Sequence, residues 1–139
     1  MAKILIVDDE PSVLKLLKMN LELEGFEAFL ASDGATALKR IQSEEPDLVL
    51  LDIMMPVMDG WEVLRRLGES GPRKRPVVIV MTAKGKRDHA RCLELGAHAY
   101  VAKPFETDVV IDKVREFLSL SAEEIESRRR QELRELKSG

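Results

Sequence analysis

The chain contains five short runs of mostly apolar residues, separated by longer segments with a different pattern. The runs lie at residues 3–7, 27–31, 48–51, 77–81 and 99–102. Short, nearly continuous apolar runs are typical of strands that are covered on both faces of a sheet. We therefore predict five strands, with those at 3–7, 48–51 and 77–81 buried and the second at an edge of the sheet.

The segments between these runs carry apolar residues at helical spacing. The first begins at Pro11 and ends before Gly25, and proline at the start with glycine after the end favours a helix between them. Asp33 is well placed to cap the second helix. The predicted helices cover about residues 12–24, 34–43, 59–67, 86–95 and 106–118.

The regular alternation of strands and helices predicts the fold class. Parallel strands that are neighbours need a crossover connection, and a helix supplies it. We predict an α/β fold with a doubly wound, five-stranded parallel sheet and five helices, formed by a domain of residues 1–120. In such sheets ligands bind beyond the carboxyl ends of the strands, so the chemistry is expected there.

The last segment, residues 121–139, is charged, balanced in sign and only sparsely apolar. Ser121 and Glu124 have the spacing of a capping box, which predicts a C-terminal helical extension from about Ala122. Two interpretations stay open: a solvated surface helix or linker, and a helix that docks a partner or a second copy. The sequence also leaves open whether an output domain follows.

The composition fits one globular domain, since 45% of the 139 residues are hydrophobic and 34% are charged. The formal net charge of −3 argues against nucleic acid as a direct ligand. Cys92 is the only cysteine, which excludes an internal disulfide framework. The apolar run after Lys3 is too short for a signal peptide or a membrane span. We expect a cytoplasmic protein without membrane attachment.

Polar residues of special kinds follow four of the five strands. They are Asp8 with Asp9 after the first strand, Asp52 after the third, Thr82 after the fourth and Lys103 after the fifth. Carboxylates gathered at one edge would repel one another unless a cation joined them, and Mg²⁺ suits a site with few hard oxygen ligands. A metal, an ammonium and a hydroxyl together suit a phosphoryl group, with Asp52 as the candidate nucleophile.

Four motifs in this order resemble the receiver domains of response regulators in two-component signal transduction. They are Val-Asp-Asp-Glu at 7–10, Leu-Asp-Ile-Met-Met-Pro-Val-Met-Asp-Gly at 51–60, Met-Thr-Ala at 81–83 and Tyr-Val-Ala-Lys-Pro-Phe at 100–105. The resemblance covers about residues 3–120. It implies a flavodoxin-like sheet with strand order 2-1-3-4-5, as in the chemotaxis regulators.

The resemblance implies a role for each strand-end residue. Asp52 would be the phosphoacceptor. Mg²⁺ would be held directly by Asp9, Asp52 and the main-chain carbonyl of Met54, whereas Asp8 would reach the ion mostly through water. Lys103 would pair with the phosphoryl oxygens.

The same resemblance implies a conformational switch. Thr82 would move toward the phosphoryl group, and Tyr100 would turn inward behind it. The peptide bond from Lys103 to Pro104 is expected to be cis. Gly60 is expected to supply unusual backbone angles in the acid-site loop.

Other polar residues are expected to have structural roles. Glu10 is interpreted as an acid at a helix N-terminus, where the helix dipole favours it. His89 and His98 match none of the motifs, so both are expected to be surface or structural residues. Cys92 is expected to be a packed thiol.

The implied function is that of a phosphoacceptor signalling module without its own DNA-binding domain. It would take a phosphoryl group from a histidine kinase or a histidine phosphotransfer protein and then bind a downstream protein target or act on an output domain. It would modify only itself, so it would not be an enzyme with an external substrate. Residues 96–100 lack the aspartate pair typical of winged-helix regulators that dimerise, and the oligomeric state stays open.

Three alternative functions fit the residues less well. A phosphatase or mutase with an aspartyl phosphate would show Asp-x-Asp, whereas Asp52 is followed by Ile53 and Met54. A flavin-binding protein of the same fold would need a phosphate loop after the first strand, where residues 8–10 are acidic. A receiver that has lost phosphorylation is disfavoured because no member of the acid, hydroxyl and lysine set is missing.

Overall fold

The computed structural model of the chain describes residues 1–69, 74–82 and 85–138. Within these ranges the strands are β1 (Lys3–Val7), β2 (Glu27–Ala31), β3 (Leu48–Asp52), β4 (Val77–Thr82) and β5 (Ala99–Ala102). The helices are α1 (Pro11–Leu23), α2 (Gly34–Glu44), α3 (Gly60–Glu69), α4 (Lys86–Glu94), α5 (Thr107–Ser119) and α6 (Ala122–Ser138). None of these helices is both long and apolar enough to cross a membrane.

The predicted elements are confirmed, with bounds that differ by no more than two residues. The strands β1, β2 and β5 have the predicted bounds, and β3 and β4 are one residue longer because they include Asp52 and Thr82. Asp33 caps α2 as predicted, since its side chain accepts a hydrogen bond from the Thr36 backbone N–H at 2.7 Å. Ala83, the last residue of the third motif, lies outside the described residues.

The five strands form one parallel sheet with the order β2-β1-β3-β4-β5. This order confirms the doubly wound sheet that was predicted. The central strand is β3, flanked by β1 and β4. Asp52, at the end of β3, therefore lies in the middle of the carboxyl edge of the sheet, between the ends of its two neighbours.

Alternate residues of each strand face two apolar layers, as the period of a strand requires. In β1, Ile4 and Ile6 pack in the layer that contains α1 and α5. Leu5 and Val7 pack in the opposite layer with α2, α3 and α4. Every residue of β3 is buried, as predicted for a strand covered on both faces. The residue at the end of β3 is therefore held in place by a strand that is packed on both faces.

The C-terminal extension packs on the domain. It begins with the predicted capping box: the Glu124 N–H donates to Ser121 Oγ at 3.1 Å, and the Ser121 N–H donates to Glu124 Oε1 at 2.9 Å. Ile125 is buried in the layer of α1 and α5, and Arg128 lies 3.2 Å from Glu116 of α5. Helix α6 is therefore anchored by an apolar contact near its start.

Candidate functional site

Asp52 is the central residue of the site. It ends β3, and only 3% of its surface is exposed. Its Oδ1 atom accepts a hydrogen bond from the backbone N–H of Met54 at 3.1 Å. This bond fixes one side of the carboxylate, and the loop after β3 thereby holds Asp52 at the sheet edge.

Lys103 joins Asp52 to Asp8, which follows β1 and is completely buried. The Nζ atom of Lys103 donates to Asp8 Oδ2 at 2.6 Å and lies 3.5 Å from Asp52 Oδ2. Lys103 follows β5, and its peptide bond to Pro104 is cis. The ends of three different strands thus bring two carboxylates and one ammonium together.

Burial and charge set the protonation behaviour of this group. Burial, together with the negative charge of Asp8, raises the pKa of Asp52 to about 6, although the Met54 N–H and Lys103 oppose the rise. Burial also acts to lower the pKa of Lys103. The hydrogen bond to Asp8 and the charges of Asp52 and Asp8 outweigh that effect, so the pKa of Lys103 is raised. Lys103 is an ammonium, but alone it does not neutralise Asp52.

Asp9 and Glu10 are exposed and form an acidic cluster with Asp8, in which one carboxylate oxygen of each residue lies within 4.8 Å of the other two. Glu10 is the N-cap of α1, yet its side chain makes no capping hydrogen bond. Its Oε1 atom instead lies 3.7 Å from Lys103 Nζ. The interpretation of Glu10 as a dipole-stabilised helix acid therefore missed its place beside the site.

This set of oxygen atoms fits a divalent cation. Carboxylates are hard ligands, and Mg²⁺ binds through one or two of them while keeping several waters. Burial and the charge of Asp8 raise the pKa of Asp52, and a dication bound beside it would favour the ionised carboxylate. The cluster of Asp8, Asp9 and Glu10, beside Asp52, can therefore hold a metal.

The loop from β3 to α3 passes very close to Asp52. A Cβ atom at Gly60 would lie 2.6 Å from the Asp52 carbonyl oxygen, and the Gly60 N–H donates to the Ile53 carbonyl at 3.0 Å. Gly60 does not have a positive φ, so the expectation of unusual backbone angles there is wrong. The close approach of residue 60 to the backbone of Asp52 explains why this residue is a glycine. The loop residue with a left-handed backbone is Val57, at φ 66°, and its side chain is exposed, as is that of Met54.

Thr82 and Tyr100 lie on adjacent strands, Thr82 at the buried end of β4 and Tyr100 in β5. The Tyr100 hydroxyl donates to the Thr82 carbonyl oxygen at 3.3 Å. The Tyr100 ring stacks on the imidazole of His89, with 4.3 Å between ring centroids. None of the motifs contains His89, but it precedes the buried Cys92 by three residues, a spacing that places both on one helix face.

His98 and Cys92 have the structural roles expected of them. The Nδ1 atom of His98 accepts a hydrogen bond from the Val78 N–H at 2.9 Å, and burial lowers the pKa of His98. Cys92 is completely buried, and burial raises the pKa of its thiol to about 12. A thiol in this environment is a weak nucleophile.

Comparison with known proteins points to one family. The family model described as the response regulator receiver domain matches residues 4–115. The alkaline phosphatase synthesis transcriptional regulatory protein PhoP of Bacillus subtilis is 42% identical over 120 residues. These residues are 86% of this chain and 49% of PhoP, so the chain spans about half the length of this curated relative.

Solved structures of receiver domains share the fold. The chemotaxis protein CheY4 of Vibrio cholerae superposes with a TM-score of 0.77 at 27% identity, covering 84% of this chain and 98% of CheY4. The BeF3-activated receiver domain of RstA from Klebsiella pneumoniae gives a TM-score of 0.76 at 32% identity, covering 85% and 99% respectively.

Proposed function

This chain belongs to the response regulator receiver domain family, the phosphoacceptor module of two-component signalling, and on that basis we propose that Asp52 accepts the phosphoryl group. The observation that carries the proposal is the position of Lys103 Nζ, 2.6 Å from Asp8 and 3.5 Å from Asp52. Asp52 is a buried carboxylate with an ammonium within reach of its oxygen atoms, and that ammonium can also pair with the oxygen atoms of an incoming phosphoryl group.

The proposed reaction transfers a phosphoryl group from a phosphohistidine to Asp52. A carboxylate oxygen of Asp52 attacks the phosphorus atom, and an acyl phosphate forms as the phosphorus–nitrogen bond breaks. The electron pair of that bond stays on the imidazole of the donor. Lys103 and the Thr82 hydroxyl are the proposed partners of the phosphoryl oxygens, because Lys103 Nζ lies 3.5 Å from Asp52 and Thr82 ends β4, the strand next to β3.

Mg²⁺ is the proposed cofactor, with Asp9, Asp52 and the Met54 carbonyl as direct ligands and Asp8 as a ligand through water. When bound, it would offset the negative charge that accumulates as the phosphoryl group is transferred. The acidic cluster beside Asp52 supports this assignment, and a dication there would favour the ionised carboxylate that must act as nucleophile, against the effect of burial.

Thr82 and Tyr100 are the proposed switch residues. Thr82 would turn toward the new phosphoryl oxygens, and Tyr100, which donates to the Thr82 carbonyl, would follow by moving inward. Phosphorylation adds charge and acceptor oxygens at one point, and a segment with two arrangements can convert that local change into a new surface.

The proposed phosphoryl donor is a histidine kinase or a histidine phosphotransfer protein, and the proposed receiver of the signal is a downstream protein target or an output domain. Receiver domains are signalling modules rather than turnover enzymes on external substrates. This one would catalyse only its own phosphorylation and dephosphorylation. We assign residues 1–120 to the receiver domain and residues 121–139 to its helical extension. The cytoplasm, where a lone thiol such as Cys92 stays reduced, is the proposed compartment.

Intact-protein mass spectrometry with a small acyl-phosphate donor tests the proposal. We expect the parent to gain one phosphoryl group when Mg²⁺ is present and none when it is chelated. Asp52→Asn should gain none. Asp112→Asn is the matched control, because Asp112 is exposed on α5 and, within the described residues, forms an ion pair only with Arg115.

Emission from Trp61 provides a separate readout of Mg²⁺ binding. Trp61 lies in α3, and the guanidinium of Arg91 in α4 sits 4.0 Å from its ring centroid. A parent protein that shows neither a Mg²⁺-dependent change in emission nor an adduct would contradict the proposal. An adduct that persists in Asp52→Asn would move the phosphoacceptor to another residue.

A further inference from the structure

Helix α6 is held against α4 by polar contacts along its length. The Arg129 guanidinium donates to the Leu93 carbonyl oxygen at 2.7 Å, and Lys137 Nζ lies 3.2 Å from Glu94. Leu93 and Glu94 are the last two residues of α4, where the helix dipole favours cations. These contacts dock α6 on the C-terminal end of α4.

A further contact connects α6 to the proposed switch. His89 lies in α4, and its Nε2 atom is 2.9 Å from Glu132 Oε1 in α6. The Nε2 atom is buried, and Glu132 Oε1 lies close to it without the alignment of a regular hydrogen bond. The ring of His89 also stacks on the ring of Tyr100.

Three successive contacts therefore lead from the end of β4 to α6. Tyr100 donates to the Thr82 carbonyl at 3.3 Å, His89 stacks on Tyr100 with ring planes 13° apart, and Glu132 lies beside His89. Because the two rings are stacked nearly parallel, Tyr100 cannot move far without displacing the ring of His89. Because His89 is only partly exposed, its displacement would also disturb Glu132.

We infer that His89 is a positioning residue that couples Tyr100 to the docking of α6, so that phosphorylation of Asp52 loosens α6 from α4. This inference rests on the proposed function, since it takes the phosphoryl group as the signal that moves Thr82 and Tyr100. Coupling of this kind is reciprocal. If the phosphorylated state weakens α6 docking, then weakened docking must favour the phosphorylated state by the same factor.

Hydrogen exchange of α6 amides, measured by mass spectrometry with and without Mg²⁺ and beryllium fluoride, tests the inference. Beryllium fluoride is the probe because it activates the RstA receiver domain to which this chain is similar. We expect exchange in α6 to become about fivefold faster or more when the probe is bound. A ¹⁹F resonance from protein-bound fluoride shows independently that the probe occupies the site.

Two variants separate coupling from simple packing. Glu132→Gln should speed exchange in α6 without the probe and should tighten probe binding by a similar factor. His89→Phe keeps a ring to stack on Tyr100 but removes the Nε2 contact, so the probe should no longer change exchange in α6. Glu135→Gln is the matched control, because Glu135 is exposed on the same helix and, in the described part of the chain, its side chain hydrogen-bonds only to Gln131 of α6.

The outcomes distinguish the inference from the proposed function. A bound-fluoride resonance with unchanged exchange in α6 would overturn the inference and leave the function standing. The same follows if His89→Phe responds to the probe as the parent does. Absence of both the resonance and the phosphoryl adduct would overturn the function and the inference together.

Discussion

Asp52→Asn should make the protein more stable at neutral pH in the absence of divalent cations. The substitution removes a buried charge and keeps the shape of the side chain. The asparagine carbonyl can still accept the hydrogen bond from the Met54 N–H, and Lys103 keeps its contact with Asp8 at 2.6 Å. The substitution removes the free-energy cost of keeping a buried carboxylate at position 52 ionised next to the charge of Asp8.

The size of the effect follows from the pKa of Asp52, which rises from its usual 3.8 to about 6 in the folded protein. The folded state therefore binds this proton more tightly than the unfolded chain does, and stability falls as pH rises through this range. The cost is absent below about pH 4, grows up to about pH 6 and is complete above that. At about 1.4 kcal/mol per pKa unit, it amounts to about 3 kcal/mol.

Urea unfolding of the parent and of Asp52→Asn, followed by circular dichroism at several values between pH 4 and pH 8, measures the difference. The variant should be more stable by about 3 kcal/mol at pH 7 with a chelator present, and the difference should close toward pH 4. Mg²⁺ should narrow the difference at pH 7, because it stabilises only a protein that can bind it. Asp112→Asn controls for the loss of one negative charge.

The reasoning would be refuted if Asp52→Asn were less stable than the parent at pH 7, or if the difference did not depend on pH. Either result would mean that the carboxylate of Asp52 is already balanced by Lys103 in the folded protein. A difference that Mg²⁺ leaves unchanged would contradict the proposed role of Asp52 as a metal ligand.

Three further predictions concern the loop after β3 and the half-buried His98. Val57→Gly should raise the melting temperature, with a gain of up to about 1 kcal/mol, because it relieves a left-handed β-branched residue; a lower melting temperature would contradict that strain. Gly60→Ala should lower the free energy of unfolding in urea by about 1 to 3 kcal/mol, since its Cβ would meet the Asp52 carbonyl; an unchanged midpoint would show that the loop yields freely. His98 has a lowered pKa in the folded protein, so the parent should lose stability relative to His98→Asn as pH falls below about 6.5. If the urea midpoints of the two proteins changed with pH in the same way, the pKa of His98 would be the same in the folded and unfolded states.

The strands could be predicted closely because each buried run ends at a polar residue. The run 48–51 stops at Asp52, and the structure adds that residue alone to the strand. The end of α3 was less predictable. Its apolar pattern stops at Leu67, whereas the helix continues to Glu69, whose carboxylate pairs with Arg65 one turn earlier. An exposed ion pair of this kind leaves no trace in the apolar periodicity.

The site was predictable to the extent that the strand order brings distant residues together. Parallel strands place Asp8, Asp52 and Lys103 at one edge, so their proximity follows from the fold. The contact of His89 with Tyr100 depends instead on how α4 lies against β5, and that of His89 with Glu132 on where α6 docks. The periodicity of apolar residues does not predict either of these packing arrangements, because each depends on contacts between elements that are far apart in the chain.

The buried thiol of Cys92 makes this protein a convenient host for site-directed labelling. Its pKa of about 12 and its complete burial keep it from reacting with maleimides or methanethiosulfonates in the folded state. A cysteine introduced at an exposed position of α6, such as Arg134, would then be the thiol that carries the dye or spin label. Spectroscopic distances to α6 can therefore be measured while the native residue at position 92 stays in place.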